Sequence, residues 1–224
     1  MQNKQNPKLN LARILLFYLA FWMVWYVVET LLHPSLSSSL GGWENEVCQT
    51  IIKLLLWSLP AVLCVRHYKD DVWLSWREML TTKVKWRAYA LILLAFIAYI
   101  TIGALLKHGH ISIHPDFSLA SLTGVVLFVG ITEEAVFRGF FLNALLKKTK
   151  PWYAVLITAL LFLVIHFPIW IFKGVFLSTF LSGGFLIVAV LSVIFSWTFI
   201  KSKNIIVPIV LHMSWNMLVT LFFG

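Results

Sequence analysis

The sequence predicts an all-α, polytopic transmembrane helix bundle of about seven spans with one additional interfacial or re-entrant segment. Three observations lead there. The 224 residues are 60% hydrophobic and 12% charged, where a soluble domain carries about 25% charge. Mean hydropathy is +0.88. Apolar stretches long enough, or nearly so, to cross a hydrocarbon core of about 30 Å recur along the chain, with basic residues concentrated in every second gap between them.

The expected spans fall at 11–32, 47–65, 88–106, 119–146, 152–167, 180–200 and 204–223. The first is too long, and too poor in small residues near its end, for a cleaved signal peptide, so it reads as a retained span. The stretch 34–42, rich in Ser and Gly, is a loop. Cys48 and Cys64 lie on one expected helix about 24 Å apart at 1.5 Å per residue, too far to bridge. The longest hydrophilic stretch, 66–87, mixes Trp73, Trp76 and Trp86 with Lys, Arg and Asp, a composition that suits a short helix in the headgroup layer. His108, His110 and His114 read as solvated loop histidines. Glu29 and His33 sit where side chains reach headgroups cheaply. Segment 167–179 is too apolar for open water and fits a re-entrant or interfacial piece. With no internal repeat, low-complexity tract or linker, residues 1–224 form a single integral membrane domain.

A net charge of +9 suggests a nucleic-acid partner, but its distribution excludes one. Of the 18 Lys and Arg residues, all but Lys53, Lys107, Arg138 and Lys173 fall on one set of alternating span ends. By the positive-inside rule the N-terminus is cytoplasmic and the C-terminus lies outside. The excess marks topology and contact with anionic lipid. Short loops and the lack of organellar signals point to a bacterial plasma membrane.

The fourth expected span holds what does not belong in lipid: Glu133, Glu134 and Arg138. A charge at the centre of a membrane helix costs roughly 2.5–3.5 kcal/mol, so three unpaired ones would cost on the order of a small domain's whole stability. They persist only where they face protein or a wet cavity. Glu134 and Arg138 are i and i+4, acid first, which places an ion pair on one helix face. Glu133 points about 100° away, free to face another partner. Gly130 and Gly139 bracket the group and let neighbouring helices approach. The fifth span adds His166. The seventh adds His212 and Asn216, again i and i+4. Two carboxylates, two imidazoles, a guanidinium and a carboxamide from three spans supply what water activation and oxyanion stabilisation need.

These residues resemble the three motifs of the CAAX-protease and bacteriocin-processing (CPBP, or Abi) family of intramembrane proteases. Glu133-Glu134-Ala-Val-Phe-Arg138 followed by Gly139 matches the first, Phe162-Leu-Val-Ile-His166 the second, and His212-Met-Ser-Trp-Asn216 the third. The resemblance covers 118–224, the expected catalytic core. It implies an intramembrane endopeptidase acting on a membrane-associated peptide or a lipidated or leader-bearing substrate. Glu133 would activate water with help from His166, His212 and Asn216 would stabilise the oxyanion, and Glu134 with Arg138 would hold the site or contact substrate. The residues permit a second layout, in which Glu133, His166 and His212 ligate a divalent metal such as Zn²⁺ and leave a position for water.

Two other functions use such residues. A non-catalytic bacteriocin-immunity or peptide-binding membrane protein would employ the polar pocket as a receptor. A proton-coupled transporter also needs membrane Glu and His, but would show inverted repeats and broken helices in both halves, whereas the polar residues here lie in the C-terminal half. No His-Glu-x-x-His, Gly-x-Ser-Gly or membrane aspartate pair is present. One geometric demand follows. Counted from the inner ends, His212 lies about 12 Å deep and Glu133 and His166 about 22 Å, so convergence requires tilted spans or helices that start below the membrane surface.

Overall fold

The computed structural model describes residues 8–118 and 122–223. Lys4 of the basic tail and residues 119–121, expected to open the fourth span, lie outside the described residues. The described residues are helical or loop, with no strand, so the all-α expectation holds.

Among the described residues, six helices are long and apolar enough to cross a membrane. They are Leu11–Ser39 (α1), Gly42–His67 (α2), Trp86–His108 (α4), Pro151–Phe172, Gly184–Ser202 (α9) and Ile206–Phe223 (α10). The fourth expected span corresponds to the continuous helix 122–146 (α5), which carries Glu133, Glu134 and Arg138 near its middle. The chain is an integral, multi-pass membrane protein. Helix α1 starts at Asn10, whose side chain accepts the Arg13 N–H at 2.9 Å and satisfies a donor left free at a helix start.

The span beginning at Pro151 breaks. It runs as Pro151–Val164 (α6), turns through His166, and resumes as the short Phe167–Phe172 (α7) and then Phe176–Leu181 (α8). Pro168 is the cause, because it has no N–H to give the Val164 carbonyl four residues back. Trp22 of α1 takes that carbonyl instead at 3.0 Å, and the Tyr18 hydroxyl donates to the Leu161 carbonyl at 2.7 Å. The apolar stretch expected to be re-entrant or interfacial is thus α7 and α8.

The hydrophilic stretch folds as expected, with a short helix, Trp76–Thr81 (α3). Ser75 and Glu78 form a reciprocal capping box at its start. Two asparagines moor it. Asn143 of α5 accepts the Leu74 N–H and donates to the Leu74 carbonyl, both at 2.8 Å. Asn204, just before α10, donates to the Thr82 carbonyl at 2.7 Å. Asp71 accepts the Leu9 N–H at 2.9 Å and pairs with Lys148. The start of α1, the 66–87 stretch and the α5–α6 turn therefore meet at one end of the bundle, the basic end.

Helix α5 is the axis of the molecule. Residues 135–142 are all buried, and Phe137, Phe140, Phe141 and Leu142 join a core shared with α1, α2, α6 and α9. Its glycines do what their spacing suggests. A Cβ at Gly130 would stand 2.7 Å from Met213 Cγ and 3.4 Å from the Met213 nitrogen of α10, and one at Gly139 would stand 2.7 Å from the Trp76 ring. Both positions accept only hydrogen at that separation. Turns of the wider i→i+5 kind flank the acidic pair at 122–128 and 135–142, a feature that recurs at functional sites in helices.

Candidate active site

Glu134 and Arg138 are wholly buried and paired, with Nη1 donating to Oε1 at 2.8 Å. This is the i,i+4 arrangement their spacing demands. Arg138 also reaches across to α9, donating from Nη2 to the Ser192 carbonyl at 3.0 Å and hydroxyl at 2.8 Å. Its guanidinium lies over Phe162 of α6, 4.8 Å from Cζ to the ring centre, and near Phe195 of α9 at 5.4 Å. One arginine thereby joins three helices.

The same Glu134 oxygen accepts from His212 Nδ1 at 2.8 Å. A carboxylate only accepts, so Nδ1 carries a hydrogen and the ring orientation is fixed. His212 stacks on Phe195 at 5.0 Å with the ring planes 20° apart, which leaves Nε2 pointing to the other acid, 3.9 Å from Glu133 Oε2. Glu134 and His212, 78 apart in sequence, share the hydrogen bond at Nδ1.

Glu133 faces elsewhere than Glu134, as a 100° rotation requires. Its Oε1 accepts from Lys53 Nζ of α2 at 3.3 Å. Lys53 lies over the Trp25 and Trp57 rings, 5.3 and 4.9 Å from their centres. Lys53, one of the four basic residues outside the alternating basic ends, thus contacts the site.

His166 sits in the turn where α6 ends. Its Nδ1 donates to the Phe162 carbonyl at 2.7 Å, and a carbonyl can only accept, so Nε2 of the neutral ring is an acceptor. Phe162 organises the group, its ring centre 5.0 Å from that of His166, 6.1 Å from that of His212 and 4.9 Å from that of Phe137. Asn216 lies one turn beyond His212 on α10, half-buried. Two polar atoms of the cluster, Glu134 Oε2 and Arg138 Nε, are buried with no hydrogen-bond partner among the described residues.

A metal fits this arrangement poorly. Among the described residues no three His, Cys, Asp or Glu side chains are gathered as a metal-holding group. The Lys53 ammonium stands against Glu133 Oε1, the position a metal cation would otherwise take.

The sequence reading missed Lys53, Ser192, Phe195 and the structural weight of Phe162. Lys53 had a signal, a lone cation inside an apolar stretch. Ser192 and Phe195 had none, since Ser and Phe are ordinary in membrane helices. Glu29 and His33, read as reaching for headgroups, instead pair with each other at 3.2 Å, and Glu29 is buried. Free Cys48 and Cys64 agree with the spacing argument.

Residues 115–218 match the family model described as Rce1-like, type II CAAX prenyl endopeptidase Rce1-like. The match contains all three motifs and agrees with the resemblance they carry. No curated protein and no solved structure matches the chain.

Proposed function

We propose that this chain, whose residues 115–218 match the Rce1-like type II CAAX prenyl endopeptidase model, is an intramembrane endopeptidase that cleaves a membrane-associated peptide with Glu133-activated water. The observation that carries the reading is the shared position of two differently prepared histidines beside two differently partnered glutamates.

Glu133 is the general base. Its carboxylate stands 3.3 Å from Lys53 Nζ and 3.9 Å from His212 Nε2 and takes a proton from the attacking water. His166, whose free Nε2 accepts, orients that water. The new oxyanion is met by His212 and Asn216. The Glu134 carboxylate, itself held by Arg138, accepts the His212 Nδ1 hydrogen and fixes the ring's orientation, as the acid of a catalytic triad does. Glu133 then returns its proton to the leaving amine. Water is consumed, one C–N bond breaks, and a carboxylate and an amine leave.

The residues that hold the site and those that react are therefore separate. Arg138, Ser192 and Phe162 fix Glu134, Glu134 fixes His212, and Glu133 faces the reacting atoms. Because Lys53 already neutralises Glu133, no step in this scheme needs a metal.

The test is a peptide-cleavage assay in vesicles with Glu133→Gln and Glu133→Ala. Both lose activity by about 100-fold or more, the scale of a general base, while expression and insertion stay normal. A Glu133→Gln protein that keeps full function, since shape and hydrogen bonding survive without the charge, would instead establish a peptide-binding or immunity role. Cleavage that a chelator stops and Zn²⁺ restores would establish the metal layout.

A further inference from the structure

Helices α4 and α9 both pack against α10 and leave a groove between them, a cavity of about 680 Å³, within the range of small-ligand sites. Phe96 of α4, buried in the groove, meets Phe195 of α9 with ring centres 6.3 Å apart. Leu91, Ala95, Val193 and Ile194 make the walls apolar, and Lys201 is the charged residue of the lining. From Ala88 to Phe96 the groove follows about 12 Å of α4. None of its lining residues belongs to the candidate active site.

One end of the groove is strongly basic. Asn204 holds the Thr82 carbonyl at 2.7 Å, and the Ile205 N–H donates to the Met79 carbonyl at 2.9 Å. The segment carrying Lys83, Lys85 and Arg87 therefore lies beside the end of α9. Those three residues and Lys201 are exposed, and none makes an ion pair among the described residues. Lys203, by contrast, lies over the Trp73 ring at 5.8 Å. No side chain caps the start of α4, whose unsatisfied N–H groups add partial positive charge there. Exposed Trp86 and Trp197 stand at the same end, and tryptophan favours the headgroup level.

An apolar trough that ends in unpaired cations fits a ligand with an oily tail and an anionic head. A second copy docked through the same face brings only α4 and α9, which hold no Asp or Glu, so it would strip water from Lys201 without supplying a counter-charge. We infer that the α4–α9 groove is a specific site for an anionic glycerophospholipid. One acyl chain lies along Phe96, and the phosphate is held by Lys201 with Arg87 beside it. Basic pockets between membrane helices hold anionic headgroups in this way. The site stands apart from the peptidase reading and does not depend on it.

Thermal unfolding of the full chain in detergent reads the site, because a ligand that binds the folded state raises the midpoint. Phosphatidylglycerol and phosphatidylcholine with the same acyl chains are the probes. The expected result is a rise of about 2–4 °C with phosphatidylglycerol and none with phosphatidylcholine. Lys201→Gln combined with Arg87→Gln abolishes the rise. Ala95→Trp, which fills the trough and leaves every cation in place, abolishes it too. Lys147→Gln combined with Lys150→Gln removes as much charge from exposed positions elsewhere at the basic end and keeps the rise. No rise with phosphatidylglycerol, or an equal rise with both lipids, overturns the proposal. So does a rise that survives Ala95→Trp, or one that the Lys147 and Lys150 pair also abolishes, since either outcome reports surface charge and not the groove. A wild-type dimer that Ala95→Trp turns into a monomer would assign the groove to a second copy and overturn it as well. Should Ala95→Trp fail to insert, Ala88→Trp replaces it under the same criteria.

Discussion

Arg138 illustrates how charge is made tolerable in an apolar bundle. Its guanidinium is wholly buried, yet three of its contacts are hydrogen bonds and two are aromatic faces. Removing one partner of a buried pair is worse than removing both, because the survivor is left desolvated and alone. Arg138→Leu is therefore expected to destabilise the protein by about 3–5 kcal/mol and to release His212 with Glu134. Arg138→Lys keeps the charge but loses the fork that spans Glu134 and Ser192, so it falls between. Thermal unfolding in detergent, followed by intrinsic fluorescence, checks both, and an Arg138→Leu protein as stable as wild type would show that the pair is idle.

Close helix approach sets the geometry one level up. The acidic pair on α5 meets His212 on α10 only because Gly130 lets the two backbones near each other, with Met213 in the space a side chain would fill. Gly130→Ala asks the flexible Met213 side chain to shift, since its Cγ stands 2.7 Å from the added Cβ. Gly130→Val brings a branched side chain against the Met213 backbone, which cannot yield without moving α10. The expected outcome is modest loss of cleavage for Ala and loss of about 100-fold for Val, since displacement by about 1 Å costs that much at a positioned site. Equal activity of the two variants in the cleavage assay would disprove the close-approach argument. The α6–α7 break has an equally local origin in Pro168, and it leaves His166 in a turn where its ring is free to face Glu133.

At the scale of the whole molecule, the basic end is tied by Asp71. The Lys148 ammonium, then the Leu9 N–H, hold its carboxyl below the usual carboxylate range. A group with a lowered folded-state value stabilises the fold above its unfolded value, and that contribution is lost as pH falls through the folded one. The tie should therefore be fully present at neutral pH and fade on acidification below the ordinary carboxylate range. Asp71→Asn is expected to lower stability by up to about 1 kcal/mol at pH 7, the scale of a partly exposed pair, and to remove that part of the acid dependence. Thermal unfolding at pH 7 and pH 3 measures it. A variant whose loss persists unchanged at pH 3 would contradict the assignment.

How much of this was legible varies with sequence distance. Glu134 with Arg138 is an i,i+4 pair, and helix periodicity alone places the two together. Membrane spans, their alternation and the anomalous fourth span follow from hydropathy, because lipid forces every backbone polar group into a helix and penalises every stray charge. Lys53 was visible by the same argument, but its partner was not. The Glu133 contact closes over 80 residues and the Ser192 contact over 54, and no local period connects such positions. The tryptophan-rich stretch announced an interfacial helix, yet its mooring by Asn143 and Asn204 depends on two distant backbones. By itself the sequence determined the elements, their polarity and the chemistry at hand, since those are set by residues within one or two turns. Which carboxylate bonds to His212 and which faces Lys53 were decided only by tertiary packing, where helix rotation and approach select among faces that hydropathy leaves equivalent.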